Sequence, residues 1–501
     1  MVYPGHRSTG CIECRRRKVK CDAAKPECYR CTIRGHICPG YPDRFNFRPL
    51  LAEVVKQGRR RQPSKSDTTT TSESTSQSKS GKTTTISSCP RHTSSIPLSP
   101  STAWELPSLC FFIDQYIIPS PDGVSPGYLR FIPDLYHVQT ENSCLKSAML
   151  AVSYLTLYNR TGDAQLYVNC RDNYGIALGR INTALNNPEF ILTDKTLASI
   201  IILSLFVDVN NERHNLLNVH SLGIYRLVKL QRDKLVHSKN GLYLFGWAVS
   251  HLLIQSIIRG EDRHVELMHL LNPDDLKIYE LKFARIVCKI LAFRSLVKQF
   301  TALRGSMAGP ALDQQEHNLT GIACHLLAEI DAWDRDMPPD WQSALLGLPS
   351  EAAEAQPGTF QCIVAFLSLV SSVRIIFYLN LIQWCNVCGD LLSPLRDSLQ
   401  LEDDANTASV LQSRIYQYLR NISKSASDAL RESDNNGVRS GSAAVSLIIL
   451  WPTWLVVHCP LSTPELVSQS RQTLNIIGHK IGIKLAVILY TLDSGPIDKF
   501  T

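Results

Sequence analysis

Six cysteines, Cys11, Cys14, Cys21, Cys28, Cys31 and Cys38, are the residues of this 501-residue chain whose type and spacing point most directly to chemistry. They read C-x2-C-x6-C, an interval of six residues, and C-x2-C-x6-C again, so the motif is an internal duplication. Each half offers two thiolates one helical turn apart and a third after a return of the chain, the spacing that wraps a soft-ligand ion in a tetrahedron. Zinc is the natural guest. Two tetrahedral ions need about eight ligand bonds, which six thiolates supply when two of them bridge both metals. Cys11 and Cys28, the first cysteine of each half, are the expected bridges. Cysteine makes up 16 of the 501 residues, too few for scattered thiols to fall into this pattern by composition.

Competing chemistries fit less well. A catalytic zinc keeps an open position beside His or carboxylate ligands and a general base, and six thiolates completing two tetrahedra leave none. His36, two residues before Cys38, then reads as a solvated loop histidine. A zinc module for RNA would present stacking aromatics, whereas Tyr29 is the one aromatic residue within the cluster.

Charge places a polyanion beside this cluster. The first 61 residues carry 15 Lys+Arg against 5 Asp+Glu, a formal +10, while the remaining 440 residues sum to −3. All of the chain's excess of +7 therefore sits in its first eighth, the footprint of a nucleic-acid-binding module on a near-neutral body. Between Cys14 and Cys21 runs Arg15-Arg16-Arg17-Lys18-Val19-Lys20, and Pro26 precedes Cys28 by two residues.

With these residues the N-terminal forty resemble the fungal Zn2Cys6 binuclear-cluster transcription factors. The resemblance implies that the basic run lies on a first short helix whose end enters the major groove and reads a CGG triplet. The reading lysine of that family, four residues after the second cysteine, corresponds to Lys18, with Arg17 as a second reader; Lys and Arg donors suit the guanine N7 and O6 acceptors there. Arg15, Arg16, Lys20, Arg30 and Arg34 are expected on phosphates, giving affinity and register without sequence information. Expected partners are double-stranded DNA with CGG-containing sites and the transcription machinery or its co-regulators. Nuclear localisation follows, and similar factors govern metabolic or secondary-metabolite genes.

The elements around the cluster divide the chain. Residues 1–10 are polar and lack the apolar stretch of a signal peptide, so a disordered N-terminus in a reducing compartment is expected. The cluster occupies 11–38, and 39–61 reads as an extended connector ending in the basic Arg59-Arg60-Arg61, a candidate import signal or one more phosphate contact. Leu50, Leu51, Val54 and Val55 make barely one apolar turn, too little for a heptad zipper, so monomeric binding and dimerisation through the later domain both stay open. Residues 62–102 hold 23 Ser+Thr in 41 positions, a composition that cannot offset chain ordering and predicts a disordered linker.

Residues 103–501 read as a large all-α domain. Phe111, Phe112, Tyr116 and Ile117 follow helical spacing, as do Cys144, Ala148, Ala151, Val152 and Leu155. Further helices are expected over 164–185, 194–209, 216–230, 242–258, 276–300, 321–333, 360–386, 408–432, 443–457 and 462–491. The opening aromatics, the Gly127-Tyr128-Leu129 step and the Asn218-Val219-His220 stretch with Gly223 also resemble the larger regulatory domain of these fungal factors, which implies dimerisation, autoinhibition or effector sensing.

Cys385 and Cys388 form another C-x2-C, but without a second pair they read as core cysteines one turn apart. The apolar run 445–459 holds Pro452 and is short, and the run 362–382 carries Arg374, so both read as core helices and no membrane partner is expected. The acidic trio Glu402-Asp403-Asp404 reads as a solvated loop. No P-loop, G-x-S-x-G, G-x-G-x-x-G or H-E-x-x-H occurs, so no enzyme is expected. The expected function is a sequence-specific regulator of RNA polymerase II genes; the alternative is a zinc-containing scaffold or ligand sensor that binds nucleic acid without sequence preference.

Overall fold

The computed structural model describes residues 11–17, 19–22, 28–34, 38, 100–119, 127–137, 143–211, 218–259, 263–276, 278–306, 309–346, 357–388, 393–400, 406–430 and 439–491. The chain divides into two compact units, 1–93 and 94–501. In the first, the described elements are two five-residue helices, Ile12–Arg16 and Tyr29–Ile33. They cannot hold together by apolar burial. Their buried residues are Cys11, Cys14, Cys28, Cys31 and Cys38, with Val19 and Cys21 partly buried against them.

The regular structure described in the second unit is helical, apart from a single antiparallel bridge between Ile118 and Tyr128. Local chemistry starts and stops these helices. Ser143, Asp163, Thr193 and Thr463 each accept a backbone N–H at the start of a helix, which satisfies donors that otherwise lack a partner. Gly162 ends the Cys144–Thr161 helix at φ 77°, a left-handed conformation that costs glycine little.

Helical periodicity then selects the faces that pack. In Thr407–Leu430 the buried positions Leu411, Ile415, Leu419, Ile422 and Ala426 recur every three or four residues, one apolar stripe on a polar helix. Pro357–Cys388, 32 residues long, is buried along most of its length and packs against Thr407–Leu430, Ser442–His458 and Tyr279–Leu303. At the other end, Cys144–Thr161 packs against Ala164–Leu185, Asp194–Asn210 and Pro100–Tyr116. Aromatic rings join the layers: Tyr279 stacks on Trp333 with ring centres 4.5 Å apart, and Phe300 meets Trp384 edge-on at 5.3 Å.

Several boundaries differ from the sequence expectation. The body's first helix, Pro100–Tyr116, begins inside the stretch read as linker and includes Pro107. The helix expected over 216–230 is Ser221–His237, and that expected over 321–333 starts earlier, at Pro310, where proline's fixed φ suits the first turn. The single helix expected over 462–491 is broken. Pro464–Ile476 runs into a wide turn over Ile477–Ile481, and Gly482 at φ 91° redirects the chain into Lys484–Thr491. A β-carbon there would sit 2.8 Å from Asn159 Cβ, so the position has no room for a side chain. The cluster's Pro26 and His36, the connector, Arg59 to Arg61, the Ser/Thr-rich residues up to 99 and the acidic trio at 402–404 lie outside the described residues.

Among the described residues two helices are long and apolar enough to cross a membrane, Lys239–Ile258 and Pro357–Cys388, and 67% and 83% of their most apolar stretches are buried inside the body. Arg374 shows why the second fits a protein core. It is buried, pairs with Asp334 and donates to Tyr418 Oη at 3.2 Å. Cys385 and Cys388 are buried on the same helix, and burial pushes their thiols up to about 11 and about 12, respectively. Both therefore stay protonated near neutrality, unlike the low-pKa thiolate of a redox pair.

Candidate metal centre and nucleic-acid interface

The duplicated motif folds as two related turns. Cys11 immediately precedes the first helix and Cys14 lies on it; Cys28 caps the second helix and Cys31 lies on it. The hydrogen bonds repeat as well. Cys14 N–H donates to Cys11 Sγ at 3.3 Å as Cys31 N–H donates to Cys28 Sγ at 3.4 Å, and Cys11 N–H reaches Cys21 Sγ at 3.4 Å as Cys28 N–H reaches Cys38 Sγ at 3.5 Å. Each half thus folds its third cysteine back onto its first, and backbone donors face sulfurs that carry negative charge once a metal is bound.

The six sulfurs converge in two groups, Cys11-Cys14-Cys21-Cys28 and Cys11-Cys28-Cys31-Cys38, with ligand atoms in each within 4.8 Å of one another. Cys11 and Cys28 belong to both, their sulfurs 3.6 Å apart. Within the groups Cys11 approaches Cys31 and Cys14 approaches Cys28, both at 3.8 Å; Cys14 to Cys31, at 3.9 Å, is a contact between the two groups. A tetrahedron with zinc–sulfur bonds of 2.3 Å has sulfur–sulfur edges of about 3.8 Å. The donor set therefore fits two zinc ions, each with four thiolates and no open position. Among the described residues these are the two groups able to hold a metal.

Electrostatics gives the same answer. Burial, followed by contact with Cys11, pushes the Cys14 thiol up to about 12, and burial raises Cys28 further. Cys28 pulls the Cys31 thiol down, yet burial and Cys11 outweigh it and leave that thiol raised. Sulfurs packed this closely resist deprotonation without cations among them. A zinc ion reverses the balance, since a coordinating thiol loses its proton outright.

Basic side chains surround the thiols. Arg16, Arg17, Lys20, Arg30 and Arg34 are exposed. Arg16 reaches Glu13 at 2.9 Å one turn earlier, an exposed pair that leaves the guanidinium accessible. Lys20, Arg30 and Arg34 line an open concavity with Tyr29 and Ile33, and Arg30 Nη1 donates to the Lys20 carbonyl at 3.2 Å. Arg15 lies on the first helix, but its side chain is outside the described residues, as is Lys18 altogether.

One residue of this module escaped the sequence reading. Asp22 accepts from the backbone N–H groups of Tyr29 and Arg30 at 3.0 and 3.3 Å, tying the return after Cys21 to the start of the second helix. Its partners lie seven and eight residues ahead, outside any local capping pattern. In the body, the Asn218-Val219-His220 step also acquires a structural role. Asn218 Nδ2 donates to the Ser204 carbonyl and to Asp208 Oδ1 at 2.8 and 3.0 Å, and His220 Nε2 meets Tyr174 Oη at 3.2 Å.

Comparison with known proteins covers short stretches of the chain. Residues 9–47 match the fungal Zn(2)-Cys(6) binuclear cluster domain. The transcriptional regulatory protein moc3 of Schizosaccharomyces pombe is 54% identical over 35 residues, 7% of this chain and 7% of that protein. The aspercryptin biosynthesis cluster-specific transcription regulator atnN of Emericella nidulans is 43% identical over 53 residues, 11% and 8% respectively. White-opaque regulator 2 of Candida albicans is 44% identical over 41 residues, 8% and 9%. The match thus spans less than a tenth of each relative's length, and no solved structure matches the chain.

Proposed function

We propose, from the premise that residues 9–47 are a fungal Zn(2)-Cys(6) binuclear cluster domain, that the whole chain is a nuclear regulator of RNA polymerase II transcription that binds CGG-containing DNA. The observation that carries this reading is the pair of four-thiol groups sharing Cys11 and Cys28, beside exposed Arg16, Arg17 and Lys20. Cys11 and Cys28 are the bridging ligands, and the other four cysteines each serve one metal. A closed thiolate shell gives structure and leaves no position for substrate, so the module binds and does not catalyse. The three relatives, each named a regulator, support the same reading of the domain.

Within the module, Lys18 and Arg17 read guanines in the major groove while Arg15, Arg16, Lys20, Arg30 and Arg34 hold phosphates. The exposure of Arg17 at the end of the first helix, and of Lys20, Arg30 and Arg34 around one concavity, supports this division. The decisive experiment is selection from a random duplex library with the zinc-loaded full-length protein at near-physiological salt. Enrichment of CGG is expected, in single or paired copies according to oligomeric state, and a pool without any enriched sequence would sink the reading in favour of nonspecific binding. Lys18→Ala then separates reading from holding: it is expected to narrow the gap between cognate and scrambled DNA by about 1–3 kcal/mol, whereas Arg16→Ala weakens both alike.

A further inference from the structure

The body contains a cavity that DNA binding does not use. A chamber of about 150 Å³ lies between the Lys239–Arg259 helix, the Gly127–Phe131 turn and the Ser442–His458 helix. A second of about 90 Å³ adjoins it, and both are walled by Ser250, Ile254, Glu280, Phe366, Leu369 and Trp451. A single water needs roughly 10–15 Å³ by this measure, so the space is large enough for a small organic molecule.

The two chambers differ in chemistry. The second is completed by apolar groups such as Leu253, Ile257, Phe283, Val287 and Trp454. The first adds Tyr128, Arg130, Asp208, His251 and Gln255. Arg130 is engaged already, its guanidinium 3.8 Å from the centre of the Tyr243 ring and its Nη2 3.4 Å from Glu280. His251 is held by the hydroxyls of Ser221 and Ser204 at 3.1 and 3.4 Å and stacks on Trp247. Asp208 differs. It accepts from Asn218 at 3.0 Å, and none of the ion pairs among the described residues includes it. Among the described lining residues, two carboxylates thus face the space with one guanidinium and the His251 imidazole. Burial pushes the Asp208 carboxyl up to about 7, as expected for a partly desolvated acid that no described cation pairs with.

We propose that this cavity binds a small amphipathic amine, its ammonium group on the Asp208 carboxylate and its apolar body against Ile254, Phe366 and Trp451. A cation at this position supplies the charge that Asp208 lacks, and a charge-assisted hydrogen bond in a poorly solvated chamber is stronger than in water. The apolar chamber removes the rest of the ligand from water. A carboxylate ligand of the same shape would instead meet Asp208 and Glu280 as like charges. The inference concerns the body alone and stands whether or not the zinc cluster selects a DNA sequence.

The test uses the zinc-loaded full chain and three molecules that share one body: 4-phenylbutylamine, 4-phenylbutanol and 4-phenylbutyrate. Isothermal titration calorimetry is expected to show the amine binding about tenfold or more tightly than the carboxylate, with the alcohol between them. Asp208→Asn is expected to bring the amine down to the level of the alcohol without altering the alcohol. Leu369→Trp, which fills the wall common to both chambers, is expected to remove binding of all three, with circular dichroism and a thermal melt reporting its fold. The proposal is overturned by absence of binding for all three probes, by equal affinity for amine and carboxylate, or by an amine preference that survives Asp208→Asn. Should Asp208→Asn fail to fold, undiminished amine binding to folded Leu369→Trp overturns it alone.

Discussion

The zinc module and the helical body solve the same problem, ordering a chain, by opposite means. In the module the buried groups are cysteine thiols, with Val19 and Cys21 partly buried beside them. In the body the buried groups form one continuous apolar core from Leu109 to Leu489. A segment of some thirty residues cannot remove enough apolar surface from water to offset its conformational entropy, so coordination bonds take the place of packing. The body is long enough to need no such staple. The contrast also separates tasks: the module's small interior leaves its basic side chains exposed to meet a polyanion, while the body's interior is large enough to contain cavities.

Metal removal tests this contrast most severely. Structural zinc contributes about 10–16 kcal/mol in small modules, so a strong chelator is expected to abolish DNA binding and unfold residues 11–38 while the far-UV circular dichroism and the melt of the body hardly change. Concerted loss of the body's helices on chelation would show that the two parts are not independently ordered. The complementary experiment attacks the core. Trp384 is fully buried, meets Phe300 edge-on and donates to Thr320 Oγ1 at 3.2 Å, so Trp384→Ala is expected to cost about 3–5 kcal/mol in urea unfolding of the body. Zinc content measured by mass spectrometry under native conditions should stay at two ions per chain. A matching fall in bound zinc would break the comparison.

Acidity sharpens it further. Burial pushes the Asp208 carboxyl up to about 7 from an ordinary 3.8, so the folded state holds this proton more tightly than the unfolded one. Its stabilising contribution is therefore fully present below about pH 4 and is lost as the pH rises through about 7, a change of a few kcal/mol at roughly 1.4 kcal/mol per unit. Tyr128, Arg130, His251 and Glu280 face the same cavity, so the readout is the difference between wild type and Asp208→Asn across pH 4–8. Parallel stability curves for the two proteins would remove Asp208 from this role. The smallest expected effect lies on the module's surface. Glu13→Gln releases Arg16 from an exposed pair, and DNA affinity should rise by no more than about 1 kcal/mol, equally for cognate and scrambled duplexes. A gain confined to one sequence would give Arg16 a part in base reading.

How far each region can be read from its residues differs for the same reason. The thiol spacing within 28 positions already implies a tetrahedral soft-metal site, because ligation depends on residue type and short-range geometry. Helices such as Ala164–Leu185 and Thr407–Leu430 are visible in periodicity, because a helix hydrogen-bonds within itself and needs neighbours only to bury one face. The break at Gly482 was missed although glycine is a helix-stop signal and here takes φ 91°; what the local residues do not show is the close approach of Asn159, more than three hundred positions earlier. Asp22 was hidden on a smaller scale, its partners lying beyond a loop.

By itself, then, the sequence determined the metal donors, the basic surface beside them and the helical class of the body, all consequences of which residue types stand within a few turns of each other. Tertiary structure added the distances that bring the donors into two groups sharing Cys11 and Cys28, the pair the ligand count had already singled out. It also decided that Arg374 is neutralised by Asp334 inside the body, and that Asp208 faces a cavity outside every ion pair among the described residues. Such arrangements are set by distance and desolvation, which exist only once segments far apart in the chain have packed together.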